Sequence, residues 1–305
     1  MERGMGSGYA KEQYRERFGQ GAPAWSGEKG GECMAEGVKQ FGEYEVRETA
    51  SGEYELSKGG MVVGSFRSGR VDPDRAVFPL SRGTWLEVSD KGTREMLSPQ
   101  KAMMGGLIAS DGGSHFYYRY DQKKDSYSSQ YKTSFASTNR ELIDLFGGLF
   151  DAVYGQAPHR YKYPNRDLME AYVNSKGVFY DLNDFGIKTG PFEFHVPREH
   201  LDDAGKRAYL TGFFSGDGTI SRCGNQFEIR IYSKHKEGLE EMKQVLEDLG
   251  FHPNEIYTDE RKRGKRIEVR HNFSIPAGEH RRFIKEIGSY KPSHRRVFKE
   301  MTEDR

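Results

Sequence analysis

The sequence predicts an α+β fold built on an internal duplication, and three observations predict it. A helical segment rich in small residues and ending in Asp-Gly occurs twice, at "MGGLIASDG" (104 to 112) and "LTGFFSGDG" (210 to 218). Each copy leads the same order of elements, hairpin, helix, hairpin, helix, so the repeat spans roughly a hundred residues. Ahead of the repeat, residues 41–95 show short alternating apolar runs in place of helical periodicity.

Residues 1–40 are rich in Gly, Glu, Lys and Arg with little periodic apolar content, and are expected to form a disordered extension. In 41–95, "FGEYEVRETASGEYEL" alternates around a central turn, and "GGMVVGSF" and "GTWLEV" follow as strands, a small β-rich module. The first half of the duplication is expected at 96–196. Ser98 before Pro99 signals a helix start, and that helix runs to about Ser110. The strands "SHFYYRY" and "SSQYKTSFAS" flank the polar turn "DQKKDS", and Leu142, Leu145, Phe146, Leu149 and Val153 mark an amphipathic helix. Strands "HRYKY" and "LMEAYV" and a short helix around "VFYDLNDF" complete the half.

The second half is expected at 197–305. "DDAGKRAYLTGFFSGDG" repeats the first helix with an acidic start, and "TISR" and "QFEIRIYS" repeat the hairpin. Leu239, Met242, Val245, Leu246 and Leu249 mark a helix that Gly250 can terminate. "EIYTD" and "RIEVRHNFSI" flank the basic turn "ERKRGK", and "GEHRRFIKEIG" closes the half as a helix.

Aligning the copies on Asp111 and Asp217 places Ala102 on Ala208, Gly105 on Thr211, Gly106 on Gly212 and Ala109 on Ser215. These positions share one face of a 3.6-residue period. Glycine inside a helix costs roughly 0.5–1 kcal/mol relative to alanine, and close approach of two helix backbones is the natural compensation. A near-parallel crossing of the two helices would set Asp111 beside Asp217 at their C-terminal ends. There the helix dipole is negative and the carboxylates repel, so at least one pKa rises unless a cation intervenes. A hard divalent ion such as Mg²⁺ relieves this, and metal-assisted phosphoryl chemistry is its obvious use. One Asp-Gly after a helix is ordinarily just a turn; its recurrence on matching small-residue faces favours function.

The two segments resemble the signature motifs of the LAGLIDADG homing endonucleases in their single-chain, two-motif form, over about residues 98 to 300. The resemblance implies an αββαββα fold in each half, motif helices at a pseudo-twofold interface, and strands forming a saddle over DNA. It implies that Asp111 and Asp217 are metal-binding catalytic acids, with the Ser110 and Gly216 carbonyls as further ligands. Mg²⁺ or Mn²⁺ is the expected cofactor, and the expected reaction is a double-strand break leaving short 3′ overhangs. The sequence departs from the family at Ala109 and Ser215, where an acidic residue is frequent. The family also places basic or polar residues near the scissile phosphates. Lys188 in "FGIKTG", and Lys291 or His294 in "IGSYKPSHRR", are the candidates, against the alternative of solvated loop residues.

Strand alternation supplies candidate DNA contacts. Gln130, Lys132 and Ser134 share one face of their strand, and Gln226, Glu228, Arg230 and Tyr232 share one face of theirs, opposite apolar neighbours. Arg119, Arg222, Arg160, Lys162, Arg266 and Arg270 are expected to extend that surface. An ordinary solvated sheet face is the alternative.

Bulk composition narrows the classes further. Lys and Arg total 47 against 46 Asp and Glu in 305 residues, so only a local basic stripe, 261 to 296, signals nucleic acid. Cys33 and Cys223 are too isolated for a disulfide framework or zinc site. There is no run of about 18 apolar residues and no signal-peptide core, so an intracellular, cytoplasmic protein is expected, with an organelle as the alternative and no membrane partner. The expected partner is double-stranded DNA, bound by a monomer with internal pseudo-symmetry. Intron RNA, bound by a maturase or splicing cofactor, and a non-catalytic DNA-binding regulator are the competing readings.

Overall fold

The computed structural model describes residues 37–122, 125–187, 193–223, 226–263 and 266–303. Two compact units divide at the Ser98/Pro99 junction. The expected disordered extension falls on residues 1–36, outside the described residues, and on 37–40, which begin a strand. No helix among the described residues is long and apolar enough to cross a membrane.

Among the described residues ahead of Pro99, all regular elements are β strands. Strands β1 (Val38–Phe41), β2 (Tyr44–Glu48), β3 (Tyr54–Lys58) and β4 (Met61–Phe66) form one antiparallel sheet in chain order. Strands β5 (Arg70–Val71), β6 (Arg75–Pro79), β7 (Thr84–Ser89) and β8 (Gly92–Leu97) form a second in the same manner. Phe41, Val46 and Leu56 meet Ala76, Phe78 and Val88 in one core, where Phe66 stacks on Phe78 at 4.5 Å. The expected module at 41–95 was thus short at both ends. Strands β1, β5, β6 and β8 escaped the alternation reading because they are short or carry charges on exposed positions.

The second unit contains the duplication. Its first half runs α1 (Pro99–Asp111), β9 (Gly112–Asp121), β10 (Ser126–Ser137), α2 (Arg140–Tyr154), β11 (His159–Lys162), β12 (Met169–Asn174) and α3 (Lys176–Asp184). Its second half runs α4 (Asp203–Asp217), β13 (Gly218–Cys223), β14 (Gln226–Ser233), α5 (Lys236–Asp248), β15 (Tyr257–Arg263), β16 (Arg266–Ile275) and α6 (His280–Glu286). A further helix, α7 (Pro292–Glu303), was not expected. The sheets share one antiparallel topology, β11-β12-β10-β9 and β15-β16-β14-β13.

Local chemistry starts these helices where they start. Asn139, Ser175, Asp202 and His235 each accept a first-turn backbone N–H from their N-cap positions, and Gly155 ends α2 at φ 68°. The helices cover one face of each sheet, burying Phe135, Phe146 and Phe150 in the first half and Ile229, Ile231, Met242 and Leu246 in the second.

Helices α1 and α4 pack against each other along their length. A Cβ on Gly106 would fall on the Tyr209 carbonyl oxygen and 2.8 Å from the Phe213 nitrogen. A Cβ on Gly212 would fall on the Met103 carbonyl oxygen and 3.0 Å from the Leu107 nitrogen. Each glycine meets the matching turn of the other helix, and lower down Ser110 faces Gly216. The contacts advance in the same direction along both chains, so the helices run near-parallel and the motif alignment is the packing register.

An ion pair that the sequence reading missed fixes α1 on its outer side. Lys101 is fully buried, with Nζ 2.8 Å from the Asp181 carboxylate and 4.3 Å from the Phe185 ring centre. The Tyr154 hydroxyl donates to the same carboxylate at 2.7 Å. Arg207, at the matching position of α4, pairs with Glu286 at 3.1 Å.

Because the atoms opposing Gly106 and Gly212 are backbone and cannot move aside, Gly106→Ala and Gly212→Ala should each cost about 2 kcal/mol or more in denaturant unfolding, despite better helix propensity. Gly148 in α2 has nothing within 4 Å of its Cβ position. Gly148→Ala should therefore stabilise the protein by about 0.5–1 kcal/mol in the same measurement.

Candidate catalytic and nucleic-acid-binding site

The two motif helices end together, and each passes directly into the first strand of its half. Gly112 and Gly218 permit this by close approach: a Cβ on Gly112 would meet the Ser134 carbonyl at 2.6 Å, and one on Gly218 would collide with Phe214. Asp111 and Asp217 sit at this junction, on the negative ends of both helix dipoles. The Asp111 Oδ2 lies 3.1 Å from the Cβ position of Gly216, which puts it against the partner helix.

Both carboxyls are driven toward the neutral form. Burial raises the pKa of Asp111, and Lys291 partly offsets the effect. Asp217 is pushed up to about 7, first by burial and then by the charge of Asp111, against the pull of Lys291, Arg270 and Lys234. Asp111 keeps an open rim to solvent and Asp217 is half-buried, so protein mass beneath the pair, and not complete enclosure, removes their water.

Lys291 is the basic residue at this pair: its Nζ donates to the Gly216 carbonyl at 3.3 Å and its charge acts on both aspartates. His294 lies behind this junction, hydrogen-bonded to the Gly218 backbone beside Asp217. It is 5% exposed, packs on the Phe214 ring at 5.1 Å, and faces Ser289 Oγ at 3.0 Å. Burial and the Lys291 charge push its pKa down to about 4, so it is a neutral interior residue and not a charged group at the aspartates. Lys188 lies outside the described residues.

No group of three or more His, Cys, Asp or Glu side chains forms a metal cluster among the described residues. The oxygens shown at the junction are the two aspartate carboxylates and the Gly216 carbonyl, which accepts a hydrogen bond from the Lys291 ammonium. That all-oxygen set fits a hard divalent cation that keeps several of its own waters.

Each sheet leaves one face uncovered by helices, and the register sorts the candidate contacts between faces. In the first half Gln130 and Lys132 share the open face with Arg119, which lies opposite Ser128, while Ser134 is on that side but buried. Lys132 is paired with Glu170 at 2.6 Å and lies over the Tyr172 ring. In the second half Gln226, Glu228, Arg230 and Tyr232 alternate onto the open face, with Arg270 and Glu268 of β16 beside them. Arg230 pairs with Glu228 at 2.5 Å, and Glu268 is held down to about 2 by hydrogen bonds from Lys234 and Arg270.

Three expected contacts are on the wrong side. Arg160 points to the helix-covered side, bonded to Asp144 of α2, and Lys162 has the same alternation. Arg222 pairs with Phe227 opposite it, 5.6 Å from its ring centre, away from the face of Arg230. Charge alone carries no strand parity, and one residue of register moves a side chain to the other face. The Arg266 side chain lies outside the described residues. Sequence reasoning also missed Lys234 near Asp217, and the rings of Tyr117, Tyr161 and Tyr172 on the first half's open face. The tyrosine-rich strands themselves were the available signal.

These shifts set the pH dependence of stability. The folded pKa of Asp217 lies above its ordinary 3.8, so its ionisation opposes folding as pH rises through about 7. His294 acts in the opposite sense, since its folded pKa lies below the ordinary 6.5 and its contribution is lost as pH falls toward 4. Asp217→Asn should be more stable than the parent at pH 8 without divalent cations, by about 1–2 kcal/mol after allowing for solvent access. In thermal unfolding the advantage should shrink as pH falls through 7 and vanish near 4. Mg²⁺ should shrink it at pH 8.

Residues 204–288 match the family described as the LAGLIDADG-like domain. A search of curated protein sequences returns no match. Among solved structures, mesophilic variants of the homing endonuclease I-DmoI align at 19% identity and a TM-score of 0.46, covering 62% of this chain and 90% of theirs. I-DmoI in complex with DNA and Ca aligns at 18% identity and a TM-score of 0.48, covering 66% of this chain and 97% of its own. Full-length DUF199/WhiA from Thermotoga maritima aligns at 14% identity and a TM-score of 0.42, covering 68% of this chain and 62% of its own. Residues 204–288 thus match the LAGLIDADG-like domain, and the motif helix of that segment, Asp203–Asp217, has its counterpart in the first half at Pro99–Asp111.

Proposed function

We propose that this chain is a site-specific homing endonuclease that makes a divalent-cation-dependent double-strand break in a long DNA target and leaves short 3′ overhangs. The observation that carries the reading is the pairing of Asp111 with Asp217. Burial raises both pKa values and the charge of Asp111 raises that of Asp217 further, and a fold gains no stability from such an arrangement. A binding-only descendant would have no reason to keep both carboxylates, which disfavours the regulator reading.

In this reading Asp111 and Asp217, with the Ser110 and Gly216 carbonyls, hold the cation. Mg²⁺ or Mn²⁺ would there supply Lewis acidity toward a phosphodiester and its attacking water. The Lys291 ammonium, already turned to this junction, faces the charge that grows on the phosphate. Arg119, Gln130 and Lys132 in one half, and Gln226, Arg230, Tyr232 and Arg270 in the other, supply donors for base edges and phosphates. The Lys132–Glu170, Arg230–Glu228 and Arg270–Glu268 pairs hold those side chains in fixed directions before DNA arrives. Because both halves lie in one chain, a monomer suffices for both strands.

The test uses a duplex selected from a randomised library by binding to the protein in Ca²⁺. Asp111→Asn and Asp217→Asn should each slow its cleavage in Mg²⁺ by at least about a hundredfold while the Kd stays within a few-fold. Cleavage at the parent rate by either variant would show the mechanism to be wrong. Arg119→Met should lower the slope of log Kd against log salt by about one if that guanidinium meets a phosphate. An unchanged slope would remove it from the interface.

A further inference from the structure

The turn that carries Lys291 is tied to α4 by a chain of hydroxyl groups. Ser215 Oγ donates to the Thr211 carbonyl at 2.7 Å and accepts the Tyr290 backbone N–H at 2.9 Å. Ser289 Oγ stands 3.3 Å from Ser215 Oγ, accepts the Lys291 N–H at 3.1 Å, and lies 3.0 Å from His294 Nδ1. His294 in turn hydrogen-bonds the Gly218 backbone. All three side chains are buried, and the chain returns to α4 and its following strand on both sides of Asp217.

The physical consequence concerns Lys291. A lysine ammonium rides on a flexible four-carbon stem, so its position is only as well defined as the backbone that carries it. Here two consecutive backbone N–H groups, of Tyr290 and Lys291, are pinned, and the Nζ then meets the Gly216 carbonyl. Helix packing does not require the serine. At the matching position α1 has Ala109, and α1 packs in the same register.

We infer that Ser215, Ser289 and His294 form a hydrogen-bonded clamp that places the Lys291 ammonium beside Asp111 and Asp217. These are positioning residues, and the inference rests on the endonuclease reading for its catalytic consequence. It also gives a use to the departure of Ser215 from the acidic residue frequent at this point of the motif.

The experiment compares the full-length parent with Ser215→Ala and Ser289→Ala. Single-turnover cleavage of the selected duplex in Mg²⁺ should slow about tenfold or more in each, with Kd for that duplex in Ca²⁺ unchanged within about twofold. Amide hydrogen exchange at Tyr290 and Lys291 should quicken at least about tenfold in Ser215→Ala, with α6 unchanged. In a Lys291→Met background, Ser215→Ala should bring no further slowing, because the group it positions is gone. Parent-like cleavage by both serine variants overturns the clamp. So does unchanged exchange at residues 290 and 291, or equal slowing of the parent and the Lys291→Met protein by Ser215→Ala. Asp217→Asn keeps the two ideas separate: if it cleaves normally the endonuclease reading fails, while the exchange result still decides whether the clamp exists.

Discussion

The contact between the backbones of α1 and α4 is the constraint on which the rest of the duplicated unit depends. Gly106 and Gly212 each stand where any side chain would strike a carbonyl of the opposing helix. That approach leaves α1 buried on nearly every side, from Gln100 to Ser110, so the helix has little freedom to tilt or slide. Each motif helix leads straight into the first strand of its sheet. Fixing one helix against the other therefore also fixes both sheets relative to the shared junction.

The same contact creates an electrostatic problem at its end. Two carboxylates meet where both helix dipoles are negative and where protein mass excludes water. The fold answers in part with Lys291, Arg270 and Lys234, whose charges lower the pKa of Asp217 without restoring it to the ordinary range. The remaining imbalance is what a divalent cation would relieve, so the unfavourable charge and the proposed chemistry have one cause. Away from the junction Glu170, Glu228 and Glu268 each pair with a lysine or arginine on the open sheet faces. A surface of that kind suits discrimination among base edges better than indiscriminate attraction to phosphate.

Much of this was legible in the sequence, and the failures are specific. The repeat, the element order within each half and the pairing of the two aspartates follow from periodicity and from the recurrence of Asp-Gly after small-residue helices. Helix α7 is not among the expected elements, which end with the helix "GEHRRFIKEIG" and leave "IGSYKPSHRR" as loop. Its apolar side is anchored chiefly by Phe298 against the Phe214 ring, a contact visible only in space. Arg160 and Arg222 were placed on the open face by charge, but strand parity turned them toward Asp144 and Phe227. Lys101 gave no signal at all, since a lysine in a buried helix is tolerable only when a partner such as Asp181 is brought to it from far along the chain.

What the sequence determined by itself was everything carried by local pattern: the duplication, the helix caps, the alternation of the strands, and the register implied by aligned glycines. These are properties of neighbours along the chain, where spacing and residue type settle the outcome. What only the tertiary structure decided was which charged groups share a site. It brought Lys291 to the aspartates and turned His294 inward, although the two are three residues apart and both were candidates. It closed the chain from Ser215 through Ser289 to His294. Selection among nearby polar residues depends on where a turn docks and which side chains lose their water there, and no spacing along the chain encodes that.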